Sequence, residues 1–162
     1  MAAGDKTLWS DVSNAIFTPI VRLVQQAAQS IANTTTTALT FGAGSEDEDT
    51  HGFHDTTTNP SRVTPSVPGK YLCIATVAWS SNTASQLYTA VGKNGAPVQP
   101  LVRHTPAATA AAKSVSASAI VSCNGTTDYV EALGNQNSGG ALNTQVGGGI
   151  NSTFEVIYLR PL

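Results

Sequence analysis

Residues 69–81 read Gly-Lys-Tyr-Leu-Cys-Ile-Ala-Thr-Val-Ala-Trp-Ser-Ser, and this stretch decides the fold class. Tyr71, Cys73, Ala75, Val77 and Trp79 alternate with Leu72, Ile74, Thr76 and Ala78, the two-residue period of an extended chain whose successive side chains point to opposite faces. Both faces are largely apolar, as a central strand covered on two sides requires. Downstream, residues 86–91 and 96–102 flank Lys93-Asn94-Gly95. Asn and Gly both accept positive φ, so a β-hairpin is expected there. Val115, Ala117, Ala119, Val121 and Cys123 alternate with serines, and Asn124-Gly125 predicts a second hairpin into residues 128–133. The last strand places Phe154, Val156 and Tyr158 on one face and Glu155, Ile157 and Leu159 on the other, ending before Pro161. About eight such strands with turns at short intervals predict an all-β jelly-roll sandwich. Its expected core holds Tyr71, Ile74, Val77, Trp79, Val121, Val130, Phe154, Val156 and Tyr158.

Upstream the pattern differs. Between residues 10 and 32 the apolar side chains fall at Val12, Ile16, Ile20, Leu23, Val24, Ala27 and Ile31, a spacing of three and four that predicts a helix. Pro19 is well placed at a first helical position with Thr18 as cap, which gives a helix over residues 19–32 and a short turn before it. Its face of Ile20, Leu23, Ala27 and Ile31 is too short to be stable alone in water. It either folds back on its own domain or docks in an oligomer. With Trp9, Phe17 and Val24 it forms the expected anchoring surface, so residues 1–33 read as an anchoring or oligomerisation segment and residues 34–162 as the sandwich.

Composition narrows function. Charged residues make up 11% of the 162, against roughly 25% in an ordinary soluble protein. A net charge of −2 with Lys and Arg scattered singly offers no footprint for a phosphate backbone, so nucleic acid is not an expected partner. No apolar run approaches the ~18 residues of a membrane span, and none is expected to insert. No Gly-x-Ser-x-Gly elbow accompanies the histidines, and Cys73 and Cys123 lie on apolar alternating faces where free thiols are inert. Glu131 and Asp128 are the nearest approach to a glycosidase acid pair, yet the chain reads as non-enzymatic and cofactor-free. The dense cluster of ligating side chains is Glu46-Asp47-Glu48-Asp49 with His51 and His54. Asp47, Asp49, His51 and His54 are weak metal candidates, since calcium-loop spacing is missing and a solvated acidic loop explains them as well.

Several fragments carry a resemblance. Pro68-Gly69-Lys70-Tyr71-Leu72, the Lys93-Asn94-Gly95 hairpin, Thr127-Asp128-Tyr129-Val130-Glu131 and Ser152-Thr153-Phe154-Glu155-Val156 occur in the order seen in tumour-necrosis-factor-like jelly rolls, the superfamily that includes complement globular heads. Thr127 stands where that family usually has glycine. The opening Ala3-Gly4-Asp5-Lys6 and Ser10-Asp11-Val12-Ser13-Asn14, and the segment 49–62, resemble tail and fibre proteins of bacteriophages infecting actinobacteria. The resemblance implies a homotrimer packed through apolar faces and a structural place on a virion, as a minor tail or receptor-binding protein or a capsid decoration. Expected partners are then other virion proteins and a host surface glycan or protein. A soluble adhesion or carbohydrate-binding module of the same fold is the alternative.

Overall fold

The computed structural model describes residues 18–82, 86–105 and 111–162. Among the described residues twelve strands follow in chain order: β1 (Ile20–Val24), β2 (Ser30–Ile31), β3 (Thr37–Ala38), β4 (Glu46–Asp49), β5 (Gly69–Trp79), β6 (Leu87–Lys93), β7 (Ala96–Pro97), β8 (Val102–His104), β9 (Lys113–Cys123), β10 (Val130–Gln136), β11 (Leu142–Asn143) and β12 (Thr153–Arg160). The first sheet runs β4-β1-β12-β5-β9, and the second runs β3-β10-β6-β7 with β8 also on β6. A two-stranded ladder joins β11 to β2. The described residues form a β-sandwich with no helix, in which strands far apart in sequence are neighbours in space.

The two sheets meet through the alternating faces of the long strands. β5 contributes Tyr71, Cys73, Ala75, Val77 and Trp79, β9 contributes Val115, Val121 and Cys123, and β12 contributes Phe154 and Val156, all buried against Leu87, Val91, Val130 and Ala132 of the opposite sheet. Phe41 stacks on Phe154 with ring centroids 6.5 Å apart, and Tyr71 meets Tyr158 edge-on at 5.3 Å. The Tyr71 hydroxyl donates to the Val67 carbonyl at 2.6 Å, so the phenol is not left unpaired inside. Of the expected core, Ile74 departs: it lies on the outer face of β5, half-buried, because its position is odd by one in a period of two.

The helix expected over residues 19–32 does not form. Residues 20–24 are β1, hydrogen-bonded between β12 and β4. Val21, Leu23 and Gln25 are fully buried while Ile20 and Val24 are partly exposed, a period of two that the three-and-four spacing concealed. The apolar residues split between both faces, and in-register pairing with β12 outweighs a weak helical preference in a segment holding Ile20, Val21 and Val24. Leu23 and Ile31 therefore belong to the core of their own domain and not to an exposed anchoring stripe, and Ala27 is an exposed loop residue. The boundary expected at residues 33 and 34 cuts through the sandwich, which already includes β1 and β2. Trp9, Phe17 and the turn expected before residue 19 lie outside the described residues.

The hairpin at Asn94-Gly95 is present: Lys93 pairs with Ala96, and the two turn residues have φ of 52° and 83°. The second expected hairpin is not. β9 belongs to the first sheet and β10 to the second, so Asn124-Gly125 carries the chain across the sandwich. Asn124 Oδ1 accepts hydrogen bonds from the backbone N–H of Thr126, Thr127 and Asp128, which closes the turn without pairing the strands.

Candidate functional site

The outer face of the first sheet carries the candidate interface. Cross-strand registers place Ile20 opposite Ile157, Ile157 opposite Leu72, and Leu72 opposite Ile120, an unbroken apolar row across four strands. Alternation points all four away from the core, since their sequence neighbours Val21, Val156, Tyr71 and Val121 point inward. Ile120 is 65% exposed, and Leu159, at the irregularity near the end of β12, is 46% exposed. The adjacent row reads Arg22, Glu155, Ile74, Ser118. Arg22 Nε donates to Glu155 Oε1 at 3.3 Å, and its Nη1 also pairs with Asp47 on β4. Both acids hold the guanidinium proton more firmly than usual, Asp47 chiefly. A third row, Val24, Thr153, Thr76, Ser116, is closed by a hydroxyl contact of 2.8 Å between Thr76 and Ser116. The face thus grades from aliphatic through an ion cluster centred on Arg22 to hydroxyl, and its aliphatic row is the part that another protein can cover without desolvating a charge. Sequence reading grouped Ile20 with a helix and assigned no role to Leu72, Ile120 or Ile157. The apolar character of both faces of β5 was the signal that pointed to them.

The acidic cluster does a different job. Asp49 Oδ1 accepts the backbone N–H of His51 at 3.2 Å and of Phe53 at 3.1 Å, and Oδ2 accepts that of His54 at 2.8 Å, so this carboxylate folds the loop after β4. The His54 ring is buried, with Nδ1 2.8 Å from Glu46 Oε1 and Nε2 3.2 Å from the Pro60 carbonyl. These two contacts hold the ring between β4 and the loop at Pro60. His51 turns to Thr50 Oγ1 at 2.8 Å, and Asp47 turns to Arg22. Asp47, Asp49, His51 and His54 thus each engage a different partner. Among the described residues no three His, Cys, Asp or Glu side chains converge on a point where a metal could sit.

The acids of the second half are also separately engaged. Glu131 accepts from Ser61 Oγ at 3.1 Å and lies 3.9 Å from Arg62 Nε, and burial pushes its carboxyl above the usual range. Asp128 accepts from Asn94 Nδ2 and Lys93 Nζ, both at 2.9 Å, and these bonds hold it below that range. Cys73 and Cys123 are free and buried, and burial raises both thiols, Cys123 to about 11.

No family model and no curated protein sequence matches the chain. Solved structures do. Murine APRIL at pH 5.0 superposes with a TM-score of 0.62 at 12% identity, over 88% of this chain and 100% of that one. The fold is tumour-necrosis-factor-like. Murine APRIL at pH 8.0 gives 0.59 at 14% identity over the same shares, and Eiger TNF from S. frugiperda gives 0.53 at 8% identity over 90% of this chain and 94% of that one. At these identities the likeness is one of architecture, and function has to be argued from the surface this chain presents.

Proposed function

We propose that this TNF-like chain works as a homotrimer whose subunits pack through the outer face of the first sheet, and that it serves as a non-enzymatic accessory subunit on a bacteriophage virion. The observation that carries the trimer is the in-register row Ile20, Ile157, Leu72, Ile120, with Ile120 65% exposed in the isolated chain. Large aliphatic side chains aligned across four strands gain roughly 25 cal/mol for each Å2 of apolar surface removed from water. The virion placement is supported by the resemblance of the opening residues and of segment 49–62 to phage tail and fibre proteins. It implies assembly in the bacterial cytoplasm and either a minor tail, receptor-binding position or a capsid decoration.

Sedimentation velocity of the full chain at micromolar concentration checks the trimer. The native chain is expected at three times its 16.6 kDa mass, and Ile120→Asp at one times, with the melting temperature of the fold little changed because the replaced side chain is exposed. A native chain that sediments as a monomer removes the trimer. Peptide mass spectrometry of gradient-purified particles checks the virion separately, and immunogold labelling then tells head from tail.

A further inference from the structure

A cleft of about 370 Å3 opens in the loop region after β4, lined among others by Gly52, Asp55, Thr58, Asn59, Arg62 and Thr64. None of these residues belongs to the apolar row on the first sheet. Arg62 is the cation of this cleft. Its Cζ sits 4.0 Å from the centroid of the Tyr129 ring, its Nε lies 3.9 Å from Glu131, and 38% of the side chain stays exposed. An arginine stacked in this way keeps its plane fixed, and with the Nε edge turned toward Glu131 the Nη edge is left to bond. No described residue accepts a hydrogen bond from its guanidinium. A planar fork of that kind matches a carboxylate through two parallel N–H···O bonds.

On the same lining, Asp55 is fixed as an acceptor. Its Oδ1 receives the backbone N–H of Thr57 at 2.8 Å and of Thr58 at 2.9 Å, and the Thr57 hydroxyl at 2.7 Å. Those bonds, with a further one from the Thr58 side chain, keep the carboxyl ionised. Asn59, held at a φ of 55° by a turn in which Arg62 N donates to its carbonyl at 2.9 Å, adds a neutral amide. A bare anion drawn to Arg62 meets repulsion from Asp55. A ligand that satisfies both must carry a carboxylate for Arg62 and hydroxyl donors for Asp55, in a cleft at the small end of ligand-site volumes.

We infer that this cleft binds a carboxylate-bearing saccharide unit, a uronic acid residue being the simplest, with its carboxylate on Arg62 and its ring hydroxyls on Asp55 and Asn59. The inference gives the display role a ligand class and rests on that reading only for where the ligand would be met. Every lining residue comes from one chain, so binding is measurable whatever the oligomeric state.

The test titrates the isotopically labelled full chain with methyl β-D-glucuronide, methyl β-D-glucoside and sodium acetate, following backbone amide resonances. The glucuronide is expected to move the amides of Gly52, Thr58, Asn59 and Thr64 saturably, with an affinity about tenfold above both controls. Arg62→Lys, which keeps the charge and loses the fork, weakens binding about tenfold. Asn59→Gly, which accepts the same positive φ, weakens it severalfold with the melting temperature unchanged. The proposal is overturned if those amides do not move, if the glucoside binds as well, if acetate alone binds as well, or if both variants bind like the native chain. A native chain that fails here but sediments as a trimer leaves the assembly reading standing.

Discussion

Gly125 shows how much one residue contributes to the crossing between sheets. Its φ is 77°, and a Cβ built there would meet the Pro68 nitrogen at 2.7 Å. Gly125→Ala is expected to cost about 1–3 kcal/mol, read as a lower denaturant midpoint with an unchanged slope. The thiols give a second outcome at this scale. With Cys73 and Cys123 buried and raised, neither is expected to react with a disulfide reagent at pH 8 in the native fold, and both should react once it is denatured. Glu131 gives a third. Its folded pKa is raised, so the stability linked to it is present at acid pH and is lost as pH rises through the folded value. Glu131→Gln keeps an acceptor for Ser61 and is therefore expected to raise the melting temperature at pH 7 and to have little effect near pH 3. Asp55 and Asp128 behave in the opposite sense. Bonds from Thr58 and Thr57 hold Asp55 at about 2, and Asn94 with Lys93 lowers Asp128, so the contribution of each is full above the ordinary carboxylate range and is lost as pH falls through its lowered folded value. Burial of the two thiols followed from their alternating apolar faces alone. The raised Glu131 did not, because its surroundings are supplied by Ser61 and Arg62, about 70 positions earlier in the chain and brought beside β10 where Val63 bridges Val130.

At the scale of elements, β1 separates a strand from a helix by experiment. In a helix, Ile20 and Leu23 would share one apolar face. In β1 they point to opposite sides, Leu23 fully buried and Ile20 partly exposed. Leu23→Ala is expected to cost about 2–5 kcal/mol in chemical denaturation, whereas Ile20→Ala should leave monomer stability nearly unchanged and weaken only self-association. Equal losses at the two positions would contradict the strand. The long strands β5, β9 and β12 were legible in sequence because eleven-, eleven- and eight-residue runs sustain a clear alternation. β1 was not, since five residues fit either period and its partners lie far away, β4 some 25 positions on and β12 over 130. The Asn124-Gly125 turn failed for a related reason: turn chemistry fixes a local reversal and says nothing of which sheet receives the next strand.

At the scale of the whole molecule, the sandwich leaves one broad sheet face with an aliphatic row, and assembly through that face is what the proposed role requires. Charge on that face lies in the adjoining row, where Arg22 meets Asp47, Glu48 and Glu155, and at the end of β5, where Lys70 pairs with Arg160, while the row Ile20, Ile157, Leu72, Ile120 carries none, so self-association through that row is expected to change little with added salt. A sedimentation series in sodium chloride checks it, and dissociation at high salt would point to a charged interface in place of the apolar one. The amino-acid order by itself determined that the body is all-β, that Tyr71, Val77, Trp79, Phe154 and Val156 face inward, and that Asn94-Gly95 is a hairpin, because these rest on side-chain alternation and on the φ preferences of single residues. Only the tertiary structure decided that the first described residues are a strand of the sandwich, that the acidic loop folds on Asp49 and His54, and that four aliphatic side chains from distant segments align into one row. Those features depend on register between strands that are remote along the chain, and register is set by how the two sheets close over a shared core.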